Sequence, residues 1–216
     1  MVFILNKKAS IADIFIAQLR DQEVQQDSMR FRRNLERVGE LLAYEMSKTL
    51  TYQATEVTTP LGTASSRKLD RTVVLATILR AGLPLHQGLL NYFDDAENAF
   101  VSAYRKHHKS GKFEIELEYV SCPNIEGKTL VLADPMLATG ASMVLAAQAL
   151  RRFGIPSELH IVTAIAAEAG LEYVQKKLPY AHFWIGALDE ELTAKSYIVP
   201  GLGDAGDLSY GEKEQR

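Results

Sequence analysis

From residue 71 onward, the chain alternates short apolar runs rich in β-branched residues with stretches of helical periodicity. Three of these runs are apolar on both faces of a strand: Val73–Leu79, Thr129–Ala133 and residues 159–166. Such strands are covered by helices on each side, and parallel strands need crossover connections of the kind that a helix supplies. The alternation therefore predicts an α/β fold built on a doubly wound, mainly parallel sheet.

The N-terminal part of the chain has a different texture. Residues 10–20 and 31–45 carry apolar side chains every three to four positions and charged side chains on the opposite face, which is typical of amphipathic helices. Residues 51–57 are rich in β-branched side chains and run into a Pro-Leu-Gly turn signal, which predicts a strand. We expect a helical part that flanks the sheet.

Two segments do not fit the sheet pattern. Residues 106–122 alternate apolar and acidic side chains after a Ser-Gly turn signal, which predicts a half-buried antiparallel β-hairpin arm outside the sheet. The tail from Lys195 onward is rich in Gly and Asp, which predicts a shaped loop rather than a helix or strand. We expect one domain over residues 1–216, with these parts: a core sheet at 70–190, the β-arm at 106–122, and flanking or hood parts at 1–60 and 191–216.

The charge of the chain restricts its partners. Its 24 Lys and Arg residues against 27 Asp and Glu residues leave a formal net charge of −3, so no chain-wide positive field attracts nucleic acid or an anionic membrane. No apolar run approaches the ~20 residues that span a bilayer. Cys122 is the single cysteine, which excludes an intramolecular disulfide and gives no zinc-site spacing. We expect a cytoplasmic protein in which any anion site is local.

The most informative segment is residues 129–150, where a buried strand ends at Asp134 and a helix begins near Ala141. In open α/β sheets, ligands bind beyond the carboxyl ends of the strands, where the next helix presents unsatisfied N–H groups. Gly140 lets the backbone approach an anion closely, and Asp134 can accept hydrogen bonds from sugar hydroxyls. The arrangement suits a phosphorylated ribose, and an ordinary βα turn is an equally good interpretation of the spacing alone.

Single arginines stand at the ends of two other β-runs. Arg80 follows Val73–Leu79, and Arg105 follows residues 99–104. A cation at the carboxyl end of a strand can bind an anionic ligand at that edge of the sheet. The spacing alone favours solvated surface charges at both positions.

The tail contains a literal GxGxxG at Gly201, Gly203 and Gly206. A dinucleotide site would need a following helix and further βαβ units, and ten residues remain, so we reject it. A disordered terminus is also a poor interpretation, because Ile198 and Leu202 are apolar. Dense glycines expose backbone donors and acceptors without side-chain bulk.

Two strings resemble those of a known family. Residues 131–140, Val-Leu-Ala-Asp-Pro-Met-Leu-Ala-Thr-Gly, resemble the phosphoribosyl pyrophosphate (PRPP) loop of type I phosphoribosyltransferases, in a form similar to that of uracil phosphoribosyltransferases. Residues 197–207, Tyr-Ile-Val-Pro-Gly-Leu-Gly-Asp-Ala-Gly-Asp, resemble the uracil-binding segment of the latter. Pro135 stands where the commoner members carry a second acid, and Ala141 stands where many uracil enzymes have a glycine.

The resemblance implies a type I phosphoribosyltransferase-like fold with a C-terminal base-binding hood. It also implies the reaction uracil + PRPP → UMP + diphosphate, a step of pyrimidine salvage. The implied catalytic set is Asp134, Arg80, Arg105 and Asp204. The residues implied in PRPP binding are Arg80, Arg105, Asp134, Pro135, Met136, Leu137, Ala138, Thr139, Gly140, Ala141, Ser142 and Asp204. Those implied in uracil binding are Tyr197, Ile198, Gly203, Asp204 and Ala205.

The resemblance also implies partners and a cofactor. Mg²⁺ is expected as the cofactor, held mainly by PRPP near Asp204, with no direct protein ligand assigned and no general base evident. The small-molecule partners are uracil and PRPP, and GTP is a candidate effector. The amphipathic N-terminal part makes a homodimer the expected assembly.

The tail offers a physical means of choosing the base. Uracil presents O4 as an acceptor and N3–H as a donor, whereas cytosine presents the opposite pair. A backbone matched to uracil leaves two groups opposed or unpaired when cytosine binds, at roughly 1–3 kcal/mol each. Rejection of cytosine by ~10²-fold or more is therefore expected without any charged side chain.

One alternative function uses the same fold. A non-catalytic regulator could keep the phosphoribosyltransferase fold and bind nucleotide and RNA, because the fold alone does not determine function. Such a protein needs a basic RNA-binding face. The balanced charge and the intact tail favour the enzyme.

Overall fold

The computed structural model describes residues 1–107 and 113–213, with side chains throughout except at 103–107 and 113–117. The helices are α1 (Ala12–Arg20), α2 (Ser28–Ser47), α3 (Leu83–Leu90), α4 (Ala141–Leu150), α5 (Glu168–Lys177) and α6 (Ala205–Tyr210). The strands are β1 (Val2–Ile4), β2 (Tyr52–Thr59), β3 (Gly62–Leu69), β4 (Val73–Leu79), β5 (Glu97–His107), β6 (Phe113–Ser121), β7 (Thr129–Ala133), β8 (Met136–Leu137), β9 (Glu158–Ala167), β10 (His182–Asp189), β11 (Glu191–Leu192) and β12 (Ile198–Val199). Short 3-10 turns lie at Leu5–Lys7, Val24–Gln26 and Arg151–Phe153.

The main sheet has eight strands within the described residues. Seven follow the order β1-β10-β9-β7-β4-β5-β6, and β8 pairs with the carboxyl end of β9. Neighbouring strands are parallel, except that β5 and β6 are antiparallel. The prediction of a doubly wound, mainly parallel sheet is confirmed.

Helices cover both faces of the sheet. In β4, Val73 and Leu75 belong to the core shared with α1, α2 and α3, whereas Val74 and Ala76 belong to the core shared with α4 and α5. Side chains alternate between the faces of a strand, so an uninterrupted apolar run supplies both cores. None of the helices in the described ranges is both long and apolar enough to cross a membrane.

The N-terminal helices begin where their sequence signals lie. Ser10 N–H donates to Oδ2 of Asp13 (2.8 Å) just before α1, and the Asp27 side chain caps α2 by accepting from Arg30 N (3.1 Å). Helix α2 then packs closely on α3, where a Cβ added to Gly88 would lie 2.0 Å from the Glu36 carbonyl oxygen. The predicted helices at 10–20 and 31–45 are confirmed.

Two β elements differ from the prediction. The predicted strand at 51–57 is β2, but it forms a separate two-stranded hairpin with β3, which the polar sequence of residues 62–69 does not indicate. The antiparallel arm at 106–122 does not stand outside the sheet, because β6 pairs with the long strand β5 and forms the edge of the main sheet. Strand β5 extends past the end of its other neighbour, β4, and gives β6 a backbone to pair with.

Two loops contain short regular elements. The segment 135–140, predicted as a loop, includes β8, which forms because its backbone lies beside the end of β9. The tail from Lys195, predicted to have neither helix nor strand, contains β12, paired with β11, and the six-residue helix α6. Asp204 caps that helix, which explains how a Gly-rich segment becomes helical there.

Candidate active site

Three segments meet at one edge of the sheet. They are the turn after β4, the loop between β7 and α4, and the tail after β10. Because β4, β7, β9 and β10 are parallel neighbours, their carboxyl ends lie at the same edge. Thr77 Oγ1 donates to the Ala133 carbonyl oxygen (3.2 Å) and Asp134 N–H to that of Val162 (3.1 Å), which fixes the strand ends to one another.

The loop 135–140 is held by its backbone. Ile165 N–H donates to the Pro135 carbonyl oxygen (3.0 Å), and the side chains of Pro135 and Leu137 are buried. Met136 is partly buried and also packs against the core. The resemblance implies all three residues in PRPP binding. They can contact a ligand through their backbone groups more readily than through their side chains.

The accessible part of the loop lies around the start of α4. Ala138, Thr139, Ala141 and Ser142 are partly exposed, and Gly140 caps the helix in the left-handed conformation, with φ +77°. The first N–H groups of a helix have no partner within it. Hydroxyl and amide donors thus lie together at the start of α4, among residues that the resemblance implies in PRPP binding.

Helix α5 packs closely against this loop. A Cβ added to Gly170 would lie 2.0 Å from the Ala138 carbonyl oxygen, and one added to Gly140 would lie 2.3 Å from Cγ2 of Val174. Gly170 was not a predicted site residue, and its isolated place in a helical sequence gives no signal of this contact. The loop can approach α5 only because both positions lack a side chain.

Asp134 and Asp204, which are far apart in the sequence, interact electrostatically. Burial at the end of β7 raises the pKa of Asp134 to about 7, the Met136 N–H opposes that rise, and the negative charge of Asp204 adds to it. Asp204 is exposed, and its Oδ1 accepts from the N–H groups of Gly206 (2.8 Å) and Asp207 (3.0 Å). Asp134 and Asp204, which the resemblance implies in PRPP binding, are therefore near enough to influence each other.

Arg80 connects the turn after β4 to the tail. The Leu79–Arg80 peptide bond is cis, and Nη2 of Arg80 donates to Oδ1 of Asp207 (2.7 Å) and to the Gly211 carbonyl oxygen (2.6 Å). The turn is tight, since a Cβ on Gly82 would lie 2.1 Å from Oγ1 of Thr77. Arg80 is one-third exposed, so it is both anchored and accessible.

The predicted base-binding residues divide into buried and exposed groups. Ile198 and Ala205 are buried, so their side chains are not open to a ligand. Gly203, with φ +92°, and Asp204 are exposed beside them, and Tyr197 is half-exposed. The tail thus presents the Gly203 backbone together with the side chains of Asp204 and Tyr197.

Comparisons with known proteins place the sequence of this chain in a family. The family model for uracil phosphoribosyltransferase matches residues 7–211. The uracil phosphoribosyltransferase of Porphyromonas gingivalis is 52% identical to this chain over 97% of each sequence. The chain belongs to the uracil phosphoribosyltransferase family. The match gives no support to the RNA-binding regulator.

A more distant relative and two solved structures extend the comparison. The uracil phosphoribosyltransferase of Pyrococcus furiosus is 38% identical over 91% of this chain and 84% of its own. The AQ2163 protein from Aquifex aeolicus has a solved structure that superposes with a TM-score of 0.87, at 31% identity over 98% of each chain. A hypoxanthine phosphoribosyltransferase from Staphylococcus aureus superposes with a TM-score of 0.51 at 14% identity, over 74% of this chain and 76% of its own, and shares the fold alone.

A partly buried ion pair that contacts the tail was not predicted. Nη1 and Nη2 of Arg20, at the end of α1, donate to the two carboxylate oxygens of Asp189, at the end of β10 (2.7 Å each). Nη1 also reaches the Gly201 carbonyl oxygen (3.0 Å), and Gly201 N–H donates to Oδ2 of Asp189 (2.9 Å). The partners are 169 positions apart, so no local pattern links them.

A second arginine outside the prediction holds the end of the chain. Nη1 of Arg32 on α2 donates to the Ser209 carbonyl oxygen (2.6 Å), and its guanidinium lies 5.8 Å from the ring centre of Tyr210. Helix α6 is therefore attached to α2 as well as to Arg80. In this member of the uracil phosphoribosyltransferase family, the tail is tied to the N-terminal helices.

Arg105 was predicted to follow the end of a strand, but it lies within β5 opposite Ile115, because β5 continues past β4 to pair with β6. Its side chain is outside the described residues.

Two further observations concern groups that could react or bind a metal. Burial raises the pKa of the Cys122 thiol to about 11, so it remains protonated near neutral pH and is a poor nucleophile. In the described parts of the chain, no group of three or more His, Cys, Asp or Glu side chains could hold a metal ion by itself.

Proposed function

We propose that the protein transfers the 5-phosphoribosyl group of PRPP to N1 of uracil, giving UMP and diphosphate. The bond from C1′ to the pyrophosphate oxygen breaks, the bond from N1 to C1′ forms, and the N1 proton leaves to solvent. The observation that carries this proposal is the convergence of Asp134, Arg80 and the tail at one sheet edge, in a chain of this family.

Residues 134–142, from the end of β7 to the start of α4, are here called the phosphate loop. This loop is proposed to bind the 5′-phosphate and the ribose. The donors of residues 138–142 surround the start of α4, where the helix adds a partial positive charge. Asp134 would accept from the ribose hydroxyls. A carboxylate with a pKa near 7 accepts such bonds best once it is ionised, so ribose binding should strengthen as the pH rises.

The two arginines are proposed to neutralise the leaving pyrophosphate. Chemistry at C1′ proceeds through a transition state with oxocarbenium character, and the protein contributes positioning and charge stabilisation. Arg80 stands at the site edge with its Nη2 anchored by Asp207. Arg105 is proposed for the same role on the family resemblance.

Mg²⁺ is proposed as the cofactor. Hard divalent cations are commonly held by one or two carboxylates together with substrate phosphates. Asp134 and Asp204 supply two carboxylates whose mutual repulsion a cation would relieve, which fits this mode. When bound, the ion would offset the negative charge of the pyrophosphate.

A homodimer is proposed from the β2–β3 hairpin. Most of its residues are exposed, including Leu61, which is fully exposed, and Val57. A two-stranded hairpin is marginally stable alone, so a second copy of this chain is a fitting cover. Light scattering of the wild type and of a variant lacking residues 53–68 tests this assembly.

Regulation and location are proposed on the family resemblance and the composition. GTP is proposed as an activator, which a titration of turnover with GTP at limiting PRPP tests. A cytoplasmic location is proposed because the single cysteine suits a reducing compartment, and fractionation of cells with an antibody tests it.

A turnover assay tests the central proposal. Purified protein is incubated with PRPP and Mg²⁺ and, in parallel, with uracil, cytosine or hypoxanthine, and nucleotide products are separated by chromatography. UMP from uracil, with at least ~10²-fold lower rates for cytosine, is the expected result. Transfer to hypoxanthine in preference to uracil would contradict the assignment.

A further inference from the structure

A network of hydrogen bonds holds the tail at Gly201, just before its exposed residues. Gly201 is buried and has both of its backbone polar groups engaged, its N–H by Asp189 and its carbonyl by Arg20. Asp189 is 6% exposed and Arg20 22%. Two residues later, Gly203 and Asp204 are exposed at the site.

We propose that Arg20 and Asp189 are positioning residues that set the base specificity of the protein, an inference that rests on the proposed function. They hold the backbone at Gly201, and through it the exposed backbone that distinguishes a pyrimidine with a 4-oxo group from one with a 4-amino group. Neither residue touches the base. Their effect passes along two residues of chain.

The geometry of the guanidinium explains why an arginine stands here. Nη1 of Arg20 donates to both Asp189 Oδ2 and the Gly201 carbonyl oxygen, while Nη2 donates to Asp189 Oδ1. Only a planar fork can hold a carboxylate with two parallel bonds and still reach the neighbouring carbonyl. A lysine ammonium at this position could satisfy one of these partners well and the others poorly.

Neighbouring contacts restrict the same stretch of backbone. Gly201 has φ +57°, and a Cβ there would lie 2.2 Å from the Ile198 carbonyl oxygen. When its amide is oriented so that the nitrogen donates, Gln25 reaches the Leu202 carbonyl oxygen (2.9 Å). Arg20 and Gln25 thus donate to the carbonyl oxygens of two successive residues, Gly201 and Leu202. These contacts leave the backbone little freedom before Gly203.

Selectivity between uracil and cytosine depends on the placement of these backbone groups. Hydrogen bonds weaken steeply when donor and acceptor move out of line. A tail released from Arg20 can turn a carbonyl in place of an N–H toward the base, which accommodates cytosine. The phosphate loop lies on a different segment and is supported by α5, so its contacts with PRPP should survive the release, and PRPP binding should change less than uracil binding.

The experiment compares Arg20→Gln, Arg20→Lys and the double variant Arg20→Gln/Asp189→Asn with the wild type. Arg71→Gln is the matched control, because Arg71 pairs with Glu158 at 3.6 Å near the amino ends of the strands, at the edge opposite the site. Each protein is assayed well below its thermal midpoint, with uracil, cytosine and PRPP varied in turn. Amide hydrogen exchange is followed over residues 201–206 and 138–142.

We expect Arg20→Gln to raise KM for uracil roughly tenfold or more, with KM for PRPP changed less than about threefold. The ratio of kcat/KM for uracil to that for cytosine should fall, and amide exchange should quicken over 201–206 and not over 138–142. Arg20→Lys should recover part of the loss. The double variant leaves no buried charge unpaired, so it should fold even if Arg20→Gln does not, and show the same loss of selectivity.

Three results would overturn the proposal. One is an unchanged uracil KM and selectivity in whichever of Arg20→Gln and the double variant folds. Another is an equal rise of both KM values, which a general loss of structure would produce. The third is the same selectivity loss in Arg71→Gln. A wild type that forms no UMP would instead refute the proposed function itself, and with it this inference.

Discussion

Nη2 of Arg80 lies 2.7 Å from Oδ1 of Asp207, so a single guanidinium nitrogen joins the turn after β4 to the tail helix. The same nitrogen donates to the Gly211 carbonyl oxygen. Among the side chains and backbone groups that the structure describes, none accepts a hydrogen bond from Nε or Nη1 of Arg80. Those two nitrogens can bind phosphate oxygens while the tail stays attached.

Replacing Arg80 by lysine should weaken PRPP binding. A lysine supplies a charge without the fork, and each lost charge-assisted bond contributes roughly 1.5–3 kcal/mol. Calorimetric titration with PRPP and Mg²⁺ in the absence of uracil measures the change. Asp207→Asn, which removes the partner's charge and keeps its shape, should alter PRPP affinity far less. Equal losses in both variants would show that Arg80 acts through the tail.

The Asp134 carboxyl should make the stability of the protein depend on pH. Between pH 3.8 and about 7, the folded protein keeps a proton on Asp134 that the unfolded chain has released. The free energy of unfolding therefore falls as the pH rises through this window. Asp134→Asn should be more stable than the wild type at pH 8 by roughly 1–4 kcal/mol and similar to it at pH 4. Thermal unfolding without Mg²⁺ checks this, and an equal difference at both pH values would contradict it.

The same substitution should abolish most of the turnover. Asparagine cannot supply the ionised acceptor proposed for the ribose hydroxyls. A folded Asp134→Asn protein with wild-type kcat and PRPP KM would remove Asp134 from the mechanism.

Gly170→Ala should impair PRPP binding although Gly170 is not among the proposed ligand contacts. The added methyl group would lie 2.0 Å from the Ala138 carbonyl oxygen and push the loop off α5, at a cost of roughly 1–3 kcal/mol in stability. KM for PRPP should rise more than KM for uracil. Glu172→Ala, on the exposed face of the same helix, is the control and should leave both KM values unchanged.

Gly203→Val should damage uracil use more than PRPP use. Gly203 has φ +92° and sits exposed in the tail, where a β-branched residue is strained and intrudes on the base. Gly127→Val imposes a comparable strain, at φ +67° in a turn before β7, and should lower stability alone. If Gly203→Val kept uracil kcat/KM intact, as Gly127→Val is expected to do, the proposal that the tail binds uracil would lose its support.

The His160 imidazole should make the fold less stable in mild acid. Burial lowers its pKa from 6.5, the Glu158 carboxylate opposes that shift, and the positive charges of His182 and the amino terminus add to it. The unfolded chain then binds a proton more readily, so the free energy of unfolding falls as the pH drops below 6.5. Urea unfolding followed by fluorescence of Trp184, whose Nε1 donates to His160 Nδ1 (3.0 Å), measures it. The free energy of unfolding of His160→Gln should depend less on pH than that of the wild type. An unchanged pH dependence would show that other groups cause it.

Parts of this protein follow from the sequence because they depend on neighbouring residues. The runs at β4, β7 and β9 are apolar on both faces, and only a sheet covered on both sides buries such strands. The phosphate loop is a strand end, a glycine and a helix start within a dozen residues. The resemblance of its sequence to a family string then implies PRPP as its ligand, because such a string reflects chemistry as well as spacing.

Other parts were decided by tertiary structure. Strand β3 is polar and exposed. It forms because the chain turns back after β2, so that the two strands pair. Gly170 becomes important only where α5 approaches Ala138. Arg20 and Asp189 are an unremarkable helix end and strand end, and their pairing across 169 positions follows from how α1 packs beside β10. Local patterns report which residues face water, whereas a charge pair between distant segments exists only after the sheet and its helices have packed together.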